Sequence, residues 1–280
     1  MSGALSSFCL MAIGARELSG EMEVIQILFY RSLIGLIVIS FIIIFLSKKN
    51  LFFSRRIKIH VLRNIFHFGG QYGWFLGIGL LPLAEVFALE FTVPFWTALI
   101  AWLFLKEPLT SGKLLAIAIG LIGVIVIVKP GAEIFNSASF IVLTAAILYA
   151  VSHTTTKSLS STESPITIVF FMCLVQFPIG LLFSISKWQN PTIEQWTWIV
   201  AIGLTALSAH YCMSKAMQFA EVTTVVIIDF FRLPLIAMAG VLFYHEKFEI
   251  TLIVGGILML AGNVVGMKTS NSHQRIEKTT

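Results

Sequence analysis

Four ionisable side chains lie inside stretches of sequence that are otherwise apolar enough to cross a membrane. They are Arg31, Glu90, Asp229 and Arg232, and their formal charges cancel. An ionisable group costs ~2.5–3.5 kcal/mol at the centre of a bilayer, so such groups tend to face a cavity and to pair with one another. Guanidinium and carboxylate groups at this depth are suited to binding a charged solute or to carrying a proton.

Two interpretations of these charges remain open. In the first, they form internal ion pairs, with Asp229 joined to Arg232 across one helix turn and Arg31 joined to Glu90. In the second, Arg31 or Arg232 captures a substrate carboxylate, while Glu90 or Asp229 takes a substrate ammonium group or a proton. The interpretations are compatible, because an ion pair can open to admit a zwitterion.

Aromatic and histidine side chains at a similar depth are further candidates for the wall of a binding pocket. Each of them taken alone is more typical of helix packing or of a hydrogen bond between helices. The candidates are Tyr72, Trp74, Trp96, His210 and Tyr211. Other polar side chains at depth are His67, Gln71, His153 and Gln176.

The composition indicates what surrounds these groups. Of 280 residues, 57% are hydrophobic and 12% are charged, with a mean hydropathy of +0.91. Soluble domains carry roughly a quarter charged residues, so the chain is predicted to be a polytopic membrane protein in contact with the lipid bilayer. The basic residues are scattered over short loops, which argues against a nucleic-acid partner. The three cysteines are unclustered, and we expect no metal, cofactor or disulfide framework.

Apolar runs and turn residues predict an all-α fold of ten transmembrane helices. The first is short for a span, which takes about 20 apolar residues. The predicted helices are Gly3–Glu17, Val24–Leu46, Leu62–Leu81, Glu85–Leu105, Gly112–Val128, Ser139–Lys157, Pro165–Ser186, Gln195–Gln218, Glu221–Phe243 and Thr251–Met267.

The two halves of the chain repeat one another at an offset of 139 positions. This offset carries Leu103–Glu107 onto Leu242–Glu246, Glu90 onto Asp229, and Gly123 onto Gly262. Five helices is an odd number, so the second unit must enter the membrane from the opposite side. We therefore predict two inverted five-helix repeats, residues 1–130 and 135–268, with a binding site between them. The polar residues 269–280 are predicted to be a disordered tail.

Charge in the loops sets the predicted orientation. The stretch Ser47–Arg63 holds six basic residues and no acid, which places it in the cytoplasm by the positive-inside rule. An even number of spans then puts both termini in the cytoplasm. Gly69, Gly73 and Gly77 recur at every fourth position, a spacing that allows close helix packing or a homodimer.

Several motifs resemble the EamA-type members of the drug/metabolite transporter superfamily. They are the in-span Phe29-Tyr30-Arg31, the helix endings from Pro94 to Pro108 and from Pro234 to Glu246, and Gly120–Gly123 followed by Lys129-Pro130-Gly131. The resemblance covers nearly the whole chain. It implies a multi-pass permease of a bacterial inner membrane, in a family whose members handle amino acids, S-adenosylmethionine, riboflavin-like vitamins or other small metabolites.

The main hypothesis for function is secondary transport of a small zwitterionic or amine-bearing metabolite by alternating access, with proton coupling or exchange. No Gly-x4-Gly-Lys-Ser/Thr motif for ATP is present. One alternative is a receptor or assembly subunit that does not transport. A second is an intramembrane enzyme, which the sequence disfavours because Ser208 and His210, two positions apart, do not share a helix face.

Overall fold

The structure is a computed structural model that describes residues 1–128, 137–229, 231–247 and 250–277. Within these ranges the regular elements are helices, as predicted, joined by short turns. In chain order they are α1 (Ser2–Glu17), α2 (Val24–Phe45), α3 (Ile57–Leu80), α4 (Leu83–Glu90), α5 (Val93–Leu105), α6 (Ser111–Val128), α7 (Ser137–Ser160), α8 (Pro165–Ser184), α9 (Ile193–Ala216), α10 (Val222–Asp229), α11 (Arg232–Tyr244) and α12 (Ile250–Glu277).

The surface of the bundle carries many exposed large apolar side chains, and its interior, although mainly apolar, also encloses several charged ones. Phe104 and Phe243 are 77% and 67% exposed, while Arg31 and Asp229 are 2% and 3% exposed. Six helical segments in the described part of the chain are long and apolar enough to cross a membrane: Val24–Phe45, Leu83–Leu105, Ser137–Ser160, Pro165–Lys187, Ile193–Ala216 and Val222–Tyr244. The molecule is therefore a polytopic membrane protein.

Helix α3 has 24 residues, yet it is not one of those six segments. Polar side chains interrupt its sequence, and Arg63, Asn64, His67 and Gln71 on it are all buried. The helix begins at Ile57, five positions before the predicted start at Leu62. It carries its polar groups inward, where other helices cover them.

Two of the predicted helices are interrupted in mid-span. The first breaks between Glu90 and Val93, and the second between Asp229 and Arg232. Pro94 has no backbone N–H to donate to the carbonyl of Glu90, so the regular ladder fails at this turn. Discontinuous helices of this kind are tolerated in membranes where they are buried in protein or line a cavity.

The helices of the two halves pack in a pattern that is preserved when the halves are exchanged. Helix α6 packs on its counterpart α12, and α2 on its counterpart α8. The contact of α3 with α7 is matched by that of α9 with α1, and the contact of α5 with α10 by that of α11 with α4. The repeat seen in the sequence is thus also a repeat of packing.

Glycines allow the close contact between α6 and α12. A Cβ atom added to Gly123 would lie 2.7 Å from the carbonyl oxygen of Gly255, and one added to Gly262 would lie 2.7 Å from that of Ala116. These distances are shorter than a carbon and an oxygen can approach, so the two backbones meet at this spacing because both positions lack a side chain.

Helix α12 continues to Glu277 and so runs through most of the segment that was expected to be a disordered tail. Residues 129–136, which contain the Lys129-Pro130-Gly131 turn and the expected boundary between the units, lie outside the described residues. The described helices on both sides of that stretch, α6 and α7, begin and end within a few positions of the predicted bounds.

Candidate functional site

The two helix breaks meet at a small cavity in the middle of the bundle. Glu90 is the last residue of α4, Asp229 the last of α10, and Arg232 the first of α11. The cavity measures about 20 Å³, room for roughly one water molecule. It is lined by Phe8, Met11, His67, Gln71, Trp74, Glu90, Tyr149, His153, His210, Met213, Asp229 and Arg232.

Arg232 joins the two carboxylates into one cluster, which we call the charged trio: Glu90, Asp229 and Arg232. The Nη2 atom of Arg232 lies 2.6 Å from Oε1 of Glu90 and 3.2 Å from Oδ2 of Asp229. Its guanidinium also stands over the ring of Phe8 at 4.8 Å and that of Phe87 at 5.0 Å. Ion pairs and cation–π contacts together fix the arginine in place.

The two carboxylates of the trio differ in what they offer a ligand. Oε2 of Glu90 accepts a hydrogen bond of 2.8 Å from Nε1 of Trp74, and Oε1 accepts one from Arg232. Oδ1 of Asp229 is buried without a hydrogen-bond partner. With both acids ionised the trio carries one net negative charge, which suits it to bind a cationic group or a proton at Asp229.

The structure corrects one of the two predicted ion pairs. Asp229 and Arg232 do pair, but the predicted pair of Arg31 with Glu90 is wrong, because Arg232 reaches across to Glu90 instead. Nη2 of Arg31 donates a 2.6 Å hydrogen bond to Oε1 of Gln176. Nε and Nη1 of Arg31 are buried without a hydrogen-bond partner.

The predicted site residues fall into three groups. The cavity brings together Glu90, Trp74, His210, Asp229 and Arg232. Arg31 does not line the cavity but is connected to it through Gln176. Gln176 accepts a hydrogen bond from Arg31 and is itself hydrogen-bonded to Nδ1 of His67, which lines the cavity. The remaining three, Tyr72, Trp96 and Tyr211, do not line it.

The positions of those three aromatic residues explain why they lie apart. Tyr72 and Tyr211 are 39% and 40% exposed on the outer surface of the bundle, and Trp96 is half-buried with its ring against Phe95. Each follows or precedes a buried neighbour in the sequence, and adjacent helical positions point about 100° apart. A prediction from depth in the membrane alone cannot distinguish the helix face at the cavity from the face at the outer surface.

Other lining residues were not chosen from the sequence. Phe8, Met11 and Met213 carry no in-span charge to mark them, and Tyr149 is one of many aromatic residues. His67, Gln71 and His153 were noticed as polar groups at depth but were not placed at the site. The spacing of His67 and Gln71 could have placed these two at the site, since they are four positions apart on α3 and share a helix face.

At each end of the bundle, a glutamate from one half caps a half-helix of the other half. Oε1 of Glu246 accepts a hydrogen bond of 2.9 Å from the backbone N–H of Leu83, the first residue of α4. Oε1 of Glu107 accepts one of 3.1 Å from the N–H of Val222, the first residue of α10. A carboxylate at a helix N-terminus satisfies a free N–H and favours the positive end of the helix dipole. We call these two contacts the carboxylate latches.

The latches share their local geometry. Each glutamate follows a residue in the left-handed conformation, Lys106 at φ 58° and His245 at φ 53°, which ends α5 or α11 and turns the chain back. Backbone N–H groups of Glu107 and Glu246 then bond to the carbonyls of Ala101 and Gly240. The turn aims each side chain at the opposite half.

A cation from a further helix supports each latch. Nη2 of Arg16 bonds to the carbonyl oxygen of Leu81 and to Glu246, both at 2.8 Å. At the other end, Nζ of Lys157 bonds to the carbonyl oxygen of Ala220 at 2.6 Å. Leu81 and Ala220 are equivalent in the repeat, so a cation bonds to the same carbonyl position at both ends, and Arg16 in addition bonds to the latch glutamate.

The carboxyl of Glu107 lies in the loop after α5, where it is partly covered. Burial raises the pKa of Glu107 above its usual range, and the hydrogen bond from Val222 acts in the opposite direction. The carboxyl therefore takes up a proton at a higher pH than a free glutamate, and protonation weakens its role as acceptor.

Lipid-facing helices that enclose a polar cavity, with two interrupted helices whose ends meet there, are an arrangement typical of membrane transporters. The relatives of the chain agree with this class. The model of the EamA-like transporter family matches residues 2–129 and 136–266. The chain belongs to the EamA-like transporter family.

Two curated relatives and one solved structure show the range of the similarity. The S-adenosylmethionine uptake transporter of Rickettsia bellii is 22% identical, over 88% of this chain and 84% of its own length. The riboflavin transporter of Brucella anthropi is 27% identical, over 78% of each chain. One crystal structure shares the fold with a TM-score of 0.76 and 17% identity, over 97% of this chain and 98% of its own.

Proposed function

We propose that the chain is a secondary transporter of a small zwitterionic or amine-bearing metabolite. The observation that carries this proposal is Asp229, a carboxylate in the central cavity with one oxygen unpartnered and an arginine at its other oxygen. An amine can bind this oxygen without displacing Arg232 from Glu90. Relatives named as an S-adenosylmethionine uptake transporter and a riboflavin transporter support a small metabolite as the substrate.

The proposed topology has ten membrane spans in two inverted five-helix repeats, with both termini in the cytoplasm of a bacterial cell. The exchange of packing partners between the halves supports it. The basic residues from Lys48 to Lys58 then face the cytoplasm, together with the latch of Glu107. The latch of Glu246 faces the outside.

The proposed mechanism is alternating access, in which one latch opens while the other stays closed. The cavity is too small for a metabolite, so a substrate must enter by separation of helices. Breaking the bond of Glu246 to Leu83 would free the start of α4, and breaking the bond of Glu107 to Val222 would free the start of α10. Each half-helix ends at the charged trio, so substrate binding and opening are coupled through α4 and α10.

Proteoliposomes with labelled solutes test the proposal. The panel comprises amino acids, S-adenosylmethionine and riboflavin, offered in exchange and in uptake with and without a proton gradient. We expect transport of at least one zwitterionic or amine-bearing member, with a loss of about tenfold or more for Asp229→Asn and Arg232→Gln. The matched control is Arg55→Gln, since Arg55 is exposed in a loop.

Three results would contradict the proposal. Transport of none of the panel, or of riboflavin alone, would overturn the substrate class. Binding without flux in sealed vesicles would identify a receptor or assembly subunit. Unchanged rates in Asp229→Asn and Arg232→Gln would remove the charged trio from the site.

A further inference from the structure

We propose that Arg31 and Arg63 form an anion subsite that receives the carboxylate of the transported solute, behind the part of the cavity wall that His67 forms. This inference rests on the proposed transport function and narrows its substrate to carboxylate-bearing zwitterions. Arg63 was not among the residues predicted for the site. It is one of the largest fully enclosed side chains in the described structure.

Both arginines are buried without a carboxylate. Each is 2% exposed, and neither takes part in an ion pair among the described residues. Arg63 donates from Nε to Oγ1 of Thr156 at 2.6 Å and from Nη1 to Oδ1 of Asn64 at 2.7 Å. Arg31 donates to the amide of Gln176 and has two further nitrogen atoms without partners.

Two guanidinium groups held only by neutral side chains are costly to bury. Removing a charge from water costs several kcal/mol unless an opposite charge offsets it, and here no carboxylate does so. Guanidinium groups bind carboxylates through paired hydrogen bonds of matching geometry. The free Nε and Nη1 atoms of Arg31 are donors that such a ligand would satisfy.

A chain of hydrogen bonds connects both arginines to the same wall of the cavity. Nε2 of Gln176, the partner of Arg31, lies 2.9 Å from Nδ1 of His67 and 3.4 Å from the carbonyl oxygen of Asn64, the partner of Arg63. The His67 ring meets the cavity beside His210, with ring centres 4.6 Å apart. A shift of the Gln176 amide would therefore open Arg31 to the cavity.

The charged trio cannot serve as this anion subsite. Arg232 is already bonded to two carboxylates and covered by two aromatic rings. Its cluster has a net negative charge, which repels a carboxylate and attracts an ammonium group. Negative and positive charges are thus separated: the acids lie at the ends of α4 and α10, and the two arginines without a counter-charge lie on α2 and α3.

Matched pairs of solutes with and without a carboxylate test the proposal in proteoliposomes. Suitable pairs are L-lysine with cadaverine, and S-adenosylmethionine with its decarboxylated form. We expect wild-type protein to move the carboxylated member of at least one pair about tenfold faster or more than its partner. Arg31→Gln and Arg63→Gln should each abolish this preference, measured within each variant as the ratio of the two transport rates.

Thermal unfolding of the purified protein separates this role from a structural one. Without solute, Arg31→Gln should raise the melting temperature, because it removes an uncompensated buried charge. The carboxylated solute should stabilise wild type but not Arg31→Gln, and Arg31→Lys should recover part of the stabilisation. Arg55→Gln, which removes an exposed charge, should match wild type in every readout.

The outcomes distinguish this inference from the transport proposal. Transport without preference between pair members, or variants that keep the preference, would overturn the anion subsite and leave the transport function intact. A fall in melting temperature in both Gln variants with an unchanged preference would show that the arginines only hold the helices together. Absence of transport for these four solutes and for every other member of the panel would overturn both proposals.

Discussion

At the scale of single residues, Arg232 holds the centre of the molecule together. It bonds to a carboxylate from each half of the repeat, Glu90 at 2.6 Å and Asp229 at 3.2 Å. The shorter bond crosses between the halves, whereas the longer one lies within a single turn. The two acids should therefore contribute differently to stability and to transport.

Substitution of the two acids should separate these contributions. Glu90→Gln leaves the buried guanidinium without its closest counter-charge, which costs about 3–5 kcal/mol in buried pairs. Asp229→Asn keeps the bond to Glu90, so its loss of stability should be smaller while its loss of transport is at least as large. Thermal unfolding in detergent measures the first effect, and proteoliposome flux the second.

An exposed ion pair provides the control for that comparison. Glu23 lies 2.9 Å from Lys187 at the surface, so Glu23→Gln should change stability by no more than about 1 kcal/mol. Equal losses of stability in Glu90→Gln and Asp229→Asn would contradict the assignment of Glu90 as the structural partner of Arg232.

The sequence located the in-span charges but not their partners. Position in a span marks Arg31, Glu90, Asp229 and Arg232 as exceptional, because few such groups survive in lipid. Which helices touch is set by packing, and so the pair of Arg31 with Glu90 was wrong. Arg63 was missed because it was counted with the basic residues of the cytoplasmic stretch. Since α3 begins five positions earlier than predicted, Arg63 lies in the second turn of the helix instead of at its start, and it is buried.

At the scale of elements, the half-helices α4 and α10 connect the ends of the bundle to its centre. Each begins at a carboxylate latch and ends at a member of the charged trio. The breaks follow from Pro94 and Pro234, whose positions were visible in the sequence, although each span was predicted as one helix. A proline in a span can kink a helix or divide it, and the local sequence does not decide between them.

Weakening one latch should favour opening of the cavity to the outside, and weakening the other should favour opening to the cytoplasm. Glu246→Gln weakens the cap of α4, and Glu107→Gln weakens the cap of α10, each by replacing a charged acceptor with a neutral one. Cys9 lies on α1 with its Sγ 3.9 Å from the carbonyl oxygen of Arg232, so its thiol reports access to the centre. In a Cys173→Ser, Cys212→Ser background, its labelling by an impermeant reagent added outside should speed up in Glu246→Gln and slow down in Glu107→Gln.

The exposed Glu23→Gln serves as the matched control and should leave the labelling rate of Cys9 unchanged. The same change of rate in both latch variants, or no change in either, would show that the caps stabilise their helices without controlling access. Reversal of the two directions would instead reverse the proposed orientation.

At the scale of the whole molecule, the contact between α6 and α12 joins the halves through backbone rather than through side chains. Gly123→Ala and Gly262→Ala each place a methyl group against a carbonyl oxygen 2.7 Å away. Overpacking of this kind costs about 1–3 kcal/mol, and the two effects should not add, because the helices separate once for both. Thermal unfolding of the single and double variants measures this directly.

Gly256 offers a control on the same helix. An added Cβ there meets nothing within 4 Å, so Gly256→Ala should leave stability unchanged or raise it slightly. A loss at Gly256 as large as at Gly123 would indicate that helix flexibility, and not the close contact, sets the cost.

The repeat is the part of the whole molecule that the sequence predicted best. The offset that relates Glu90 to Asp229 also relates Leu83 to Val222, Lys106 to His245, and Gly255 to Ala116. The arrangement of the two units around each other could not be predicted from the sequence, because short-range patterns contain no information on which apolar helix faces pack together. The positions of Tyr72 and Tyr211 on the outer surface illustrate that limit.

The near-equivalence of the two carboxylate latches has a consequence for direction. If the two latches close the two sides of the cavity as proposed, their shared chemistry gives transport little built-in preference for import over export. Net movement must then follow whatever difference in concentration or potential the cell maintains across the bilayer. Under the proposed alternating access, a reversed solute gradient would therefore reverse the direction of net transport.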